Sequence, residues 1–170
     1  MTIEEMQNSQ IEEKKALHFS NFRSGSSWYF WLALISLANL VIRLSNSEST
    51  IRFAVGFALP KWLEDASIPF FNILTPRRFS FGLGLILIVV FALIGLMARK
   101  RYKVVYLIGM ILYTFDIIPA FINSDSYSVV FHLIVLGFLI WGFIHLLKLE
   151  KLEAEYPDDI EAVVIEPENS

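Results

Sequence analysis

The run Phe81–Ala98 holds eighteen residues without a charge or a side-chain amide, and Arg99, Lys100, Arg101 and Lys103 follow it at once. An apolar stretch of that length matches the ~20 residues that cross a bilayer as a helix, where every backbone group must be satisfied internally. It predicts a membrane span closed by a basic turn. Gly82, Gly84 and Gly95 allow close helix approach, and Ser80-x-x-x-Gly84 has the small-residue spacing of membrane helix contacts.

Three further apolar runs accompany it, so the spacing predicts helices over about 28–44, 79–98, 103–122 and 128–148. The first is short in its uncharged part, but Ser24–Ser27 extend it and Trp28, Tyr29 and Trp31 anchor it at headgroup level. Between the first two runs, Ile51, Ala54, Val55, Ala58, Leu59 and Trp62 recur at helical spacing until Pro60 breaks the pattern. That segment, about 51–64, is too short to cross and reads as an interfacial or re-entrant amphipathic helix. The expected fold class is therefore an all-α, integral membrane four-helix bundle with this helix in the first outer loop. The composition agrees: 55% of the chain is hydrophobic and only 18% charged, far from a soluble domain.

The ends are polar. Residues 1–27 balance Glu4, Glu5, Glu12 and Glu13 against Lys14, Lys15 and Arg23, too long and too acidic for the start of a secretory signal. Glu4–Leu17 reads as a surface helix or as chain without fixed structure, and residues 149–170 as an acidic tail that opens with the helical extension Lys148–Tyr156. The positive-inside rule places the basic turn in the cytoplasm and, with four crossings, both termini beside it. Nine basic residues then lie inside and five outside. The expected location is the cell (plasma or inner) membrane.

Folding the last two runs into a hairpin brings Asp116 and His132 to one depth, and Asn39 on the first run falls in the same layer. At ~1.5 Å per residue that layer lies roughly 6–9 Å below the outer surface. An isolated acid there would cost ~2.5–3.5 kcal/mol, so it should face inward and be paired. Arg43, one turn outward from Asn39, has the reach to join it. Asn39, Arg43, Asp116 and His132 are thus the candidate polar cluster, structural or ligand-binding. Tyr102, Gly109, Tyr113, Asp116 and Ala120 fall on one face of the third run, and Pro119 frees a backbone carbonyl one turn from the acid. His145, near the inner end, and His18, in the tail, receive no role.

These residues resemble a set found together in small bacterial four-helix membrane proteins of no established activity. The shared features are Ser36-x-x-Asn39, Val55-Gly56, Ala98-Arg99-Lys100, Gly109-Met110-x-Leu112-Tyr113-x-x-Asp116, Phe131-His132 and Gly142. The resemblance spans about Trp28–Lys148 and implies four helices sharing one polar layer.

With no cysteine, disulfides, thiolate catalysis and the strong zinc spacings are excluded, and a net charge of −3 offers no nucleic-acid surface. No paired-histidine motif, second acid at depth or Ser-His-Asp layer appears, and one His with one Asp does not complete a zinc site. No cofactor or metal is expected. The expected function is a non-enzymatic accessory, scaffold or interaction subunit, with the bilayer and a homo-oligomer or larger membrane complex as partners. The alternative is a small-molecule, lipid or proton-handling protein using Asp116 and His132 from the outer side.

Overall fold

The computed structural model describes residues 2–44, 59, 76–122 and 126–157. Among them are four helices: α1 (Ile3–Leu44), α2 (Pro76–Arg99), α3 (Lys103–Ile122) and α4 (Ser126–Glu155). All four are long and apolar enough to cross a membrane. The expected interfacial segment at 51–64 falls outside the described residues except at Leu59.

The outside of the bundle is apolar, with Ile86, Leu93, Phe115 and Phe121 exposed, while Ser26, Ser36, Asp116, Ser128 and His132 are buried. That inversion of the usual soluble pattern suits helices surrounded by hydrocarbon.

α1 differs most from expectation. It starts at Ile3, not near Trp28, so residues 3–27 are neither a separate surface helix nor structureless chain. A capping box starts it: Glu5 N–H donates to Thr2 Oγ1, and Thr2 N–H to Glu5 Oε2 at 2.7 Å. At ~1.5 Å per residue its 42 residues extend about 63 Å, roughly twice the hydrocarbon core. The part beyond the apolar run is held by packing on α4.

The packing follows heptad spacing. α4 buries Ser128, His132, Val135, Leu139, Gly142, Leu146 and Leu149, alternating steps of four and three. α1 buries Phe22, Gly25, Tyr29, Leu32 and Ser36 in the same rhythm. This is the seam of an antiparallel coiled coil, and it runs past the apolar limits of both helices. The helices nearly touch at Gly25 and Gly142, where a Cβ on Gly25 would lie 2.5 Å from the Gly142 Cα. Only glycine fits both positions.

α2 and α3 close the bundle on the other side, joined by the basic turn. Arg101 N–H bonds the Ala98 carbonyl and Tyr102 N–H the Met97 carbonyl, a Schellman ending with Arg101 at φ 65°. Glycine usually occupies this left-handed position. Here the Arg101 side chain is tied to Glu153 of α4 at 2.7 Å and lies over the Phe19 ring of α1. The turn also corrects the face assigned to the third run. Tyr102 falls in the turn and is exposed, and the buried stripe starts instead at Tyr106.

Candidate functional site

At the end of the bundle where α3 finishes and α4 starts, Asp116 Oδ2 and His132 Nε2 are 3.0 Å apart. Asp116 is 4% exposed and His132 wholly buried. The other faces of the pair are also occupied. His132 Nδ1 lies 2.7 Å from the Ser128 carbonyl, and Leu59 N–H donates to Asp116 Oδ1 at 2.9 Å. The first loop therefore reaches back to the acid.

These contacts constrain the ring's hydrogens. A carbonyl only accepts, so Nδ1 of His132 carries a hydrogen. A hydrogen on Nε2 or on the carboxyl oxygen joins the two groups at 3.0 Å, since facing lone pairs would repel. An acid and an imidazole that bond each other are less costly to bury than either group alone.

Of the four predicted residues, the structure joins Asp116 and His132. Asn39 is half-buried on α1 and has a polar or electrostatic partner of its own. Arg43 belongs to the last turn of α1, and its side chain lies outside the described residues. Among the described residues no group of three or more metal-ligating side chains gathers.

Tyr113 was placed on the stripe by sequence, but its contact was not foreseen. Its ring stacks on His132 with centroids 5.2 Å apart and planes 11° from parallel. Among the described residues its buried hydroxyl has no hydrogen-bond partner. From Tyr113 a line of rings continues down the core through Phe91, Tyr29 and Tyr106 to Phe22, with centroids 5.2–6.3 Å apart. Tyr29 donates to the Tyr106 carbonyl and Tyr106 to the Leu139 carbonyl, so the two middle hydroxyls are satisfied. Gly109 makes room for this line, since a Cβ there would meet the Tyr29 ring at 2.8 Å.

His18 and His145, to which the sequence assigns no role, are brought together by the structure. Their Nδ1 atoms are 2.7 Å apart, and Trp141 sets its edge against His145. The correction follows from α1 being continuous, which carries His18 alongside α4. The readable signals were the Thr2-x-x-Glu5 capping box and the heptad rhythm shared by the two long helices.

Comparison with family models, with curated proteins and with solved structures finds no match for this chain.

Proposed function

We propose that the protein is a non-enzymatic, multi-pass component of the cell (plasma or inner) membrane, serving as an accessory, scaffold or interaction subunit. In this reading both termini and the basic turn are cytoplasmic, and the first loop is external with an interfacial helix near residues 51–64. Asp116 and His132 act as a lock that holds α3, α4 and the loop in one arrangement. The observation that carries it is the enclosure of the pair: its polar atoms bond protein groups, and water has almost no access. A site that exchanged ligands or protons with the outside would need an open approach. The coiled extension of α1 and α4 supports the subunit role, because a helix pair projecting beyond the bilayer presents a rigid polar face to a partner.

Native mass spectrometry of the protein gently extracted from its own membrane tests this. The expected result is a second polypeptide in fixed ratio, retained in Asp116→Asn. A bare monomer in the parent protein would overturn the subunit role.

The second reading, proton or small-molecule handling, draws on the orphan hydroxyl of Tyr113 stacked over His132. A retained small molecule that disappears in Asp116→Ala would favour it.

A further inference from the structure

The four cations of the basic turn fall into two classes. Arg101 and Lys103 are neutralised by Glu153 and Glu150 of α4, each at 2.7 Å. Arg99 and Lys100 have no carboxylate partner among the described residues. Arg99 is nonetheless held in place. Its guanidinium lies 4.4 Å from the centroid of the Phe30 ring, and Nη2 donates to Ser27 Oγ at 3.2 Å. The Ser27 hydroxyl in turn donates to the Arg23 carbonyl, which turns its lone pairs toward Arg99. One polar contact leaves most of the five guanidinium N–H donors unused.

Beside this cation a groove of about 270 Å³ opens on the flank of the bundle between α1 and α2, lined by Ser27, Phe30, Trp31, Leu34 and Arg99. Trp31 and Leu34 are more than half exposed. Arg99 ends α2, so the groove has a cationic head at the bilayer margin and an apolar floor running into the tail region. Ser27 lies about 22 Å along α1 from Ile42, by ~1.5 Å per residue, on the opposite side of the membrane from the acid–histidine pair.

We propose that this groove binds an anionic phospholipid of the cytoplasmic leaflet. The phosphate takes the free N–H donors of Arg99, with Lys100 beside it, and an acyl chain lies along Trp31 and Leu34. A planar guanidinium suits phosphate because two parallel hydrogen bonds fit its oxygens. Stacking on Phe30 orders the side chain before the lipid arrives, which lowers the entropic cost of binding. Basic pockets at the cytoplasmic ends of membrane helices recognise anionic headgroups in this way. The inference rests on the membrane placement proposed above, and is independent of the role of Asp116 and His132.

The test is native mass spectrometry of the full chain in mild detergent with equal amounts of dioleoyl phosphatidylglycerol and dioleoyl phosphatidylcholine. Unpaired basic residues near a bilayer favour anionic lipid by about fivefold each, so Arg99 with Lys100 should give a retention ratio of about twenty-five in favour of phosphatidylglycerol. Arg99→Gln should lower it about fivefold, while Lys148→Gln, a cation elsewhere near the same margin, should leave it unchanged. If Arg99→Gln does not fold, Arg99→Lys keeps the charge without the planar fork and should lower the ratio at least twofold. Equal retention by the parent protein, or an unchanged ratio in the Arg99 variants, would overturn the proposal. Displacement of the lipid by millimolar inorganic phosphate would also overturn it, reassigning the site to a soluble anion. Release of the chain from native membranes by alkaline carbonate would instead sink the membrane placement itself.

Discussion

Each end of the bundle carries a histidine pair, and the two behave oppositely. His132 meets an acid where water scarcely reaches. His18 meets a second base, His145, at the half-buried margin of the α1–α4 extension. An acid and a base can share one proton and stay neutral as a pair wherever that proton sits. Two bases cannot. Their Nδ1 atoms at 2.7 Å hold one hydrogen between them, and a second would set N–H against N–H. Partner chemistry, more than histidine itself, sets what each contact can hold.

The largest expected effect breaks the lock. Asp116→Ala leaves His132 and the Leu59 N–H without their carboxylate in a dry interior, and should cost about 3 kcal/mol in a reversible unfolding measurement in detergent. Ordinary hydrogen bonds between membrane helices average ~0.6 kcal/mol, because the unfolded chain in lipid also finds partners. A loss near that value would make the pair an ordinary contact and remove the contrast with the other end.

A smaller effect should separate the two pairs by pH. The His18–His145 contact needs a hydrogen on one Nδ1 and a lone pair on the other, so acid that places a hydrogen on both breaks it. Acidification should therefore lower the melting temperature of the parent protein. The dependence should flatten in His145→Ala and persist in His132→Ala. Flattening in His132→Ala alone would mean that the buried pair is the one exchanging protons.

The smallest effect concerns the orphan hydroxyl. Tyr113→Phe removes a buried group that satisfies nothing, so stability should stay level or rise by up to ~1 kcal/mol. A clear loss would show that the hydroxyl holds a bound molecule, and would strengthen the ligand-handling reading of that end.

Much of this arrangement was legible in the chain. Apolar length marks the helices because lipid offers no partner to a backbone group, and equal distance from the 123–127 turn aligns Asp116 with His132. Less legible was anything depending on the fate of the polar first 27 residues. Their composition resembles a solvated tail, and their helical structure follows from a seam whose other half lies more than a hundred residues away. Phe22 and Gly25 gain meaning only against Leu146 and Gly142, and His18 only against His145.

The sequence alone determined that four helices long and apolar enough to span a bilayer would form, and that an acid among them would need a partner. Those outcomes follow from local hydropathy and from the cost of a lone charge in hydrocarbon. Tertiary structure decided the rest: the 42-residue reach of α1, the loop N–H on Asp116, the division of the basic turn into paired and unpaired cations. Each depends on which surfaces approach within a few ångströms, a distance set by the glycine crossing and the heptad seam and not by any single segment's composition.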